Sequence, residues 1–200
     1  MSAESPLVSV IVPTYNRPIL LRESLESLCK QMFRDFETIV VNDAGEDAQS
    51  VCNEFACDFP IRYERHAANR GLAAARNTGI RCARGKYLAY LDDDDIYYPE
   101  HLKTLTSVLE ETGKWVAYTQ ANLVVQRRVG GKLIQLEGER ICTAPLDLDH
   151  LLVSNGIPSN AIMYRQECVK QVGSFDESLP VLEDWDLLIR LAQHWAFHYI

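Results

Sequence analysis

The sequence predicts an α/β fold in which a mostly parallel central sheet is flanked by helices on both faces. Three observations carry this expectation. The first half alternates strand and helix patterns four times, the signature of a parallel sheet. Three of its strand candidates, residues 7–13 (LVSVIVP), 36–42 (FETIVVN) and 86–91 (KYLAYL), are short apolar runs that read as buried strands. The segments that follow these strands carry Thr, Asn and Asp, at the carboxyl edge where ligands bind in such sheets.

Each element has a local reason. The run 7–13 ends at Pro13, and Asn16 is placed to cap the next helix, with Pro18 tolerated in its first turn. Ile19, Leu20, Leu21, Leu25, Leu28, Cys29 and Met32 then fall on one broad helical face. After the strand 36–42 a helix is expected over about 46–57, and 61–65 reads as a weaker strand. Residues 72–83 are Ala-rich and helical, with Gly85 as the stop. The strand 86–91 runs into four aspartates, and Pro99 opens a helix to about residue 111, ended by Gly113.

The second half is less regular. Residues 115–126 and 132–136 read as strands around a turn at Gly130-Gly131. A further strand is expected at 159–164. A helix is expected at 183–194 with Trp185, Leu188, Ile189 and Ala192 inward, and a last strand begins at 196. That strand runs to the final residue, so a longer natural protein is expected.

Composition narrows the class. The chain has 200 residues, 47% hydrophobic and 24% charged, enough to bury a core without staples. Its formal net charge is −8 and no basic stripe occurs, which argues against nucleic acid as a partner. No apolar run approaches the roughly 18 residues of a bilayer span. Residues 1–6 lack a basic, apolar leader, so secretion is not expected. The six cysteines show no CxxC pairing, so free thiols in a reducing compartment, the cytosol, are expected.

Four features sit where the architecture would place a site. Pro13-Thr14-Tyr15-Asn16-Arg17 and Asn42-Asp43-Ala44-Gly45 are strand-to-helix turns, and each serves equally well as an ordinary capping turn. Asp43 could also accept the imino hydrogen of a pyrimidine base. Asp92-Asp93-Asp94-Asp95 concentrates like charge at the end of an apolar strand, where a hard divalent cation would offset the repulsion. Glu183-Asp184-Trp185-Asp186 opens the last helix; its carboxylates are either dipole partners or the source of a general base. No GxGxxG, GxxxxGK[ST] or GxSxG pattern is present.

Taken together, VSVIVPTYNR (8–17), ETIVVNDAG (37–45), NRGLAAARNTGI (69–80), GKYLAYLDDDD (85–95) and VGSFDESLPVLEDWDLLIRLA (172–192) resemble the family 2 glycosyltransferases of the GT-A fold. The resemblance implies an inverting transfer of a sugar from a nucleotide diphosphate donor, UDP foremost, to a glycan or other hydroxyl acceptor, in polysaccharide or cell-surface glycan synthesis. It places Pro13, Thr14, Tyr15, Arg17, Asp43, Asn69, Arg76 and Asp93 around the donor. Asp92 and Asp94 would hold Mn²⁺ or Mg²⁺. Asp184 would be the general base, with Glu183 and Trp185 on the acceptor side. One departure is Asn42, where many relatives carry Asp.

On this reading the chain is one catalytic domain, about 1–112 for the nucleotide and 113–200 for the acceptor. It would work in the cytoplasm or at the inner face of a membrane, associated peripherally. Two other readings compete: a silent sugar-nucleotide or glycan-binding module, and a sugar-1-phosphate nucleotidyltransferase, which would need a basic Gly-rich loop after the first strand.

Overall fold

The structure is a computed structural model and describes residues 5–129, 132–140 and 148–200. The first half forms β1 (Val8–Thr14), α1 (Pro18–Cys29), β2 (Phe36–Asn42), α2 (Gln49–Phe55), β3 (Ile61–Arg65), α3 (Leu72–Cys82), β4 (Tyr87–Tyr90) and α4 (His101–Thr112). The second half adds β5 (Val116–Tyr118), β6 (Asn122–Val129), β7 (Lys132–Arg140), α5 (Leu148–Leu151), β8 (Ile162–Arg165), α6 (Glu167–Val172), α7 (Glu183–Ala192) and β9 (Phe197–Tyr199). Seven strands form one sheet in the order β3-β2-β1-β4-β8-β5-β9, in which β8 alone runs antiparallel to its neighbours. β6 and β7 form a separate antiparallel pair.

The central strands are apolar on both sides because both faces are covered. Val8, Val10 and Val12 of β1 pack in the cluster that holds Leu21, Leu25 and Leu28 of α1 and Leu102, Leu105 and Leu109 of α4. Ile11 points to the opposite cluster, with Ala73 and Ala75 of α3 and Leu187, Leu188 and Leu191 of α7.

Several expectations need correction. The face of α1 is narrower than its hydrophobic pattern: Ile19 and Met32 are exposed, and Met32 lies beyond the helix end. Its inward positions are shared with Ser24 and Ser27. Ser24 Oγ donates to the carbonyl of Asp95 at 2.7 Å, and Ser27 Oγ accepts the Tyr97 N–H at 3.1 Å. With Gln31, which donates to the Tyr98 carbonyl at 2.8 Å, these groups clamp the segment after β4. The expected strand 115–126 is broken in two. β5 joins the main sheet, Thr119 N–H donates to the Ala161 carbonyl, and β6 leaves to pair with β7. The turn expected at Gly130-Gly131 lies outside the described residues. The strand expected at 159–164 begins with a single 3₁₀ turn over Ser159–Ala161.

Helix α7 is rotated from the expected frame: Leu187, Leu188 and Leu191 are buried, while Trp185, Ile189 and Ala192 are only half-buried. Glu183, Leu187 and Leu191 stand four residues apart on one face, and Glu183 is buried with the two leucines. The described cysteines, Cys29, Cys52, Cys57, Cys82 and Cys168, are free, and Cys142 lies outside the described residues. No helix among the described residues is long and apolar enough to cross a membrane.

Gly85 does not cap α3, whose C-cap is Ala83 in extended conformation. Its place is explained by contact with β1: a Cβ on Gly85 would lie 2.6 Å from the Ser9 nitrogen and 2.7 Å from the Val8 carbonyl carbon. The Gly85 N–H donates to Ser9 Oγ at 2.9 Å, and Ser9 donates to the buried Glu37 carboxylate at 2.8 Å. Because the obstruction is backbone, Gly85→Ala cannot be relieved by a rotamer change. It should cost about 1–3 kcal/mol or more, read as a lower urea midpoint with the slope unchanged.

Candidate functional site

The site is assembled from the carboxyl ends of β1, β2 and β4. Asn16 does not cap α1, which starts with Arg17 in the capping position and no side-chain cap. Asn16 instead adopts a left-handed φ of 56° and its Oδ1 accepts the Glu46 N–H at 2.7 Å. That bond ties the turn after β1 to the turn after β2. The two turns touch at Gly45, where a Cβ would stand 2.6 Å from the Asn16 nitrogen. Asn42, fully buried, accepts the Gly45 N–H at 2.7 Å and donates to the Glu46 carbonyl at 2.7 Å and to the Tyr63 hydroxyl at 2.9 Å. An amide can do both, whereas an ionised Asp could only accept.

Asp43 faces the cleft, and its carboxylate is well supplied with donors. Oδ1 accepts the Arg70 N–H at 2.9 Å and His66 Nδ1 lies 2.6 Å away; Oδ2 accepts the Gly71 N–H at 2.7 Å. The carboxylate thereby fixes the backbone of residues 70–71, which opens α3, and Asn69 stands beside it, donating to the Asp43 carbonyl at 3.4 Å. His66 also meets Thr78 Oγ1 at 2.8 Å.

The four aspartates after β4 point in different directions. Asp92 receives Arg76 Nη2 at 2.9 and 3.0 Å. Asp93 is buried, accepts the Thr14 hydroxyl at 2.8 Å and meets Arg17 at 3.1 Å; burial nevertheless raises its pKa above the usual carboxylate value. Asp94 is half-exposed and pairs with the equally exposed Arg17 at 2.8 Å. Asp95 accepts Asn160 Nδ2 at 2.6 Å, and burial, then the charges of Asp92 and Asp94, push it up to about 6.

Together Pro13, Thr14, Tyr15, Arg17, Asp43, Asn69, Asp92, Asp93 and Asp94 line one cleft of about 450 Å³, with Gly71, Leu72 and Ala75 completing it. Its lining holds the carboxylates of Asp43, Asp92, Asp93 and Asp94 against the single guanidinium of Arg17. A diphosphate entering such a wall needs further positive charge, and hard oxygen donors suit a divalent cation. Among the described residues no three acidic, His or Cys side chains converge into a closed metal cage. The set fits an ion held by one or two carboxylates and completed by phosphate oxygens, the usual arrangement for Mg²⁺.

Arg76 is not at the cleft surface. Its side chain is 2% exposed, and it donates through Nη1 to Glu183 Oε1 at 2.8 Å and through Nη2 to Asp92 and to Ser159 Oγ at 2.9 Å. The ring of Phe175 lies 5.4 Å from its guanidinium carbon. One guanidinium thus joins the end of β4 to the start of α7. Glu183 is bound into this core. Asp184, next to it, accepts the Trp185 N–H at 2.7 Å and a 3.4 Å contact from Asn155, and has no ion-pair partner closer than 4 Å among the described residues. Trp185 is half-buried and donates through Nε1 to the Leu151 carbonyl at 2.5 Å.

His66, Thr78 and Asn160 were not singled out from the sequence; their partners, Asp43, His66 and Asp95, come from elsewhere in the chain. Leu182, directly before Glu183, has a left-handed φ of 65°, as does Ala44 at 63°. Such residues cost about 1–3 kcal/mol each and persist where the surroundings over-determine them.

Comparison with known proteins gives a consistent picture. The family model described as Glycosyl transferase family 2 matches residues 9–171. An uncharacterised glycosyltransferase of Haemophilus influenzae is 31% identical over 196 residues, covering 96% of this chain and 64% of the relative. The uncharacterised glycosyltransferase YwdF of Bacillus subtilis is 31% identical, covering 94% of this chain and 69% of its own length. A relative from Rickettsia bellii is matched over only 28% of its length, so the chain spans part of longer proteins. Among solved structures, Staphylococcus aureus TarS 1–349 in complex with UDP superposes with a TM-score of 0.76 at 24% identity, over 96% of this chain and 57% of that one. The mannosyltransferase PcManGT of Pyrobaculum calidifontis, solved with GDP-Man and Mn²⁺, gives 0.72 at 20% identity, over 99% of this chain and 55% of that one.

Two predictions follow from the buried charges. Arg76→Met leaves Glu183 buried and unpaired and should cost about 3–5 kcal/mol. A cycle with Glu183→Gln should show the double variant losing less than the sum, because the two act as one unit. For Asp95, the folded pKa near 6 lies above the unfolded value of 3.8, so its contribution is fully present below about pH 4 and is lost as pH rises through about 6. Asp95→Asn should therefore gain stability relative to wild type between pH 4 and 6 and hold a constant difference above. Urea titrations in EDTA across that range test this, and parallel stability curves would contradict it.

Proposed function

The chain belongs to glycosyl transferase family 2, and on that premise we propose that it transfers a sugar, with inversion, from a nucleotide diphosphate donor to a hydroxyl acceptor. The observation that carries this reading is the division of labour in the Glu183-Asp184 pair: Arg76 pairs with Glu183, whereas no ion pair within 4 Å engages Asp184 among the described residues.

In this reading residues 1–112 serve the donor and 113–200 the acceptor side. The base and ribose lie between Pro13, Tyr15 and the 69–72 turn, and the diphosphate lies toward Asp92, Asp93 and Asp94. Asp43 lines the cleft and orders the 70–71 backbone that walls the nucleotide, and it is the residue placed to meet the base. Asp94, with Asp92, would hold Mn²⁺ or Mg²⁺, which when bound supplies Lewis-acid stabilisation for the departing nucleotide diphosphate. Arg17, half-exposed, swings from Asp94 to phosphate as the donor enters. Asp184 takes the proton of the acceptor hydroxyl while that oxygen attacks the anomeric carbon opposite the leaving group. The new glycosidic bond forms as the bond to phosphate oxygen breaks, and the configuration inverts. UDP is the favoured donor nucleotide, since the TarS structure that superposes on this chain holds UDP. A glycan acceptor and action in the cytoplasm, at or near a membrane face, complete the proposal.

Calorimetric titration of UDP, dTDP and GDP, with Mn²⁺ and with EDTA, tests the donor site. One nucleotide should bind only with the metal, and Asp94→Ala should abolish that binding. Asp184→Asn should leave nucleotide affinity intact and lower turnover by about 10²–10⁴-fold, the usual worth of a positioned base. A folded protein that binds a nucleotide but never turns over a nucleotide sugar would favour the silent-module reading.

A further inference from the structure

Behind the donor cleft stands a histidine that the proposed chemistry leaves unused. His66 follows β3, its side chain is 8% exposed, and it lies behind Asp43 rather than in the cleft's lining. Its backbone N–H donates to the Asn42 carbonyl at 2.9 Å, which seats it beside the end of β2. The ring is held from both sides, with Asp43 Oδ1 2.6 Å from Nδ1 and Thr78 Oγ1 2.8 Å from Nε2. Thr78 is itself anchored on α3: its Oγ1 lies 3.0 Å from the Ala74 carbonyl and accepts Arg81 Nη2 at 2.7 Å. The Asp43 carboxylate also receives two backbone donors. The Arg70 N–H is shared between Oδ1 at 2.9 Å and Oδ2 at 3.1 Å, and the Gly71 N–H reaches Oδ2 at 2.7 Å. An ionised Asp only accepts, so the ring nitrogen that faces it carries a proton. Nδ1–H therefore donates to Oδ1 in a short, charge-assisted bond. Three N–H groups in all meet a carboxylate that can accept about four.

We propose that His66 determines specificity for the donor base: by holding Asp43 in place as an acceptor, it selects a base that presents a ring N–H to that carboxylate. The proposal rests on the reading that Asp43 meets the base, and deepens it. Uracil and guanine carry such an N–H on their pairing edge, whereas cytosine and adenine present a bare nitrogen there. A bare nitrogen against a carboxylate finds no proton to share, and a site built to bond an N–H rejects the analogue that lacks it. Without Nδ1–H, Oδ1 loses its side-chain donor and the carboxylate is free to turn, which weakens the distinction between the two kinds of base. His66 acts through Asp43 and is a positioning residue.

Calorimetric titration of UDP, CDP, GDP and ADP, each with Mn²⁺, tests this on wild type and on two variants of nearly equal size. His66→Leu lacks a donor, and His66→Asn carries an Nδ2 that can replace Nδ1–H. Wild type should bind UDP or GDP about tenfold or more tighter than its bare-nitrogen counterpart, CDP or ADP, the worth of one hydrogen bond to a charged group. His66→Leu should shrink that ratio about tenfold, and His66→Asn should restore it. Thr78→Val removes the hydroxyl at Nε2 and should lower the ratio in the same direction, which keeps the test open if His66→Leu does not fold. A ratio unchanged in His66→Leu, or in Thr78→Val where His66→Leu is unfolded, would overturn the role of His66. So would a ratio lost equally in His66→Leu and His66→Asn. A wild-type chain that binds these nucleotides without distinguishing them overturns the base reading of Asp43, and one that binds none overturns the donor site itself; the proposal falls with either.

Discussion

A guanidinium almost sealed from water sets the geometry of this site. Arg76 donates to Asp92 at the end of β4, to Glu183 at the start of α7 and to Ser159 between them. Two carboxylates, each at the mouth of a different element, would repel one another and cost desolvation if brought this close without a cation. With Arg76 between them they become a fixed distance apart. The same bond fixes the rotation of α7, because burying Glu183 carries Leu187 and Leu191, four and eight residues on, to the core face. Asp184 is then turned off that face, toward the half-exposed surface beside Asn155.

The loops around this hub are held by side chains more than by secondary structure. Asn16 joins the turns after β1 and β2, Asn42 braces the turn after β2, Asp43 orders residues 70–71, and Ser24 and Ser27 of α1, with Gln31 just beyond it, clamp the segment after β4. Polar groups inside an otherwise apolar helix face are tolerated only with partners, and here the partners are backbone groups of the functional loops. Rigidity of the cleft and stability of the fold are therefore linked: the groups that position Asp92 to Asp95 are also core residues.

Most of the fold was legible because its cause is local. Apolar runs such as LVSVIVP, an Ala-rich helix and Gly113 at a left-handed φ of 67° each act within a few residues. That Pro13, Thr14, Tyr15, Arg17, Asp43, Asn69 and Asp92–Asp94 come together in one cleft was legible for a related reason, since strand ends converge at one edge of such a sheet. Arg76 was found but misplaced: sequence suggests an arginine near phosphates, while the fold buries it as a structural tie. The rotation of α7 was misread because a glutamate in a first helical turn looks solvated until its partner, 107 positions away, is known. Only tertiary contact gives His66, Ser159 and Asn160 their meaning, through Asp43, Arg76 and Asp95.

On the proposed transferase reading, Arg76 serves turnover by holding Asp92 and the Glu183-Asp184 pair in register, without itself binding the donor. Arg76→Lys keeps the charge but cannot span three partners with one fork. The most direct measurement is the turnover of this variant on the nucleotide sugar that wild type uses, set beside its affinity for the parent nucleotide diphosphate with Mn²⁺. The account predicts a fall in turnover of about 10²-fold with nucleotide affinity unchanged. Unchanged turnover, or a loss of affinity as large as the loss of turnover, would contradict it.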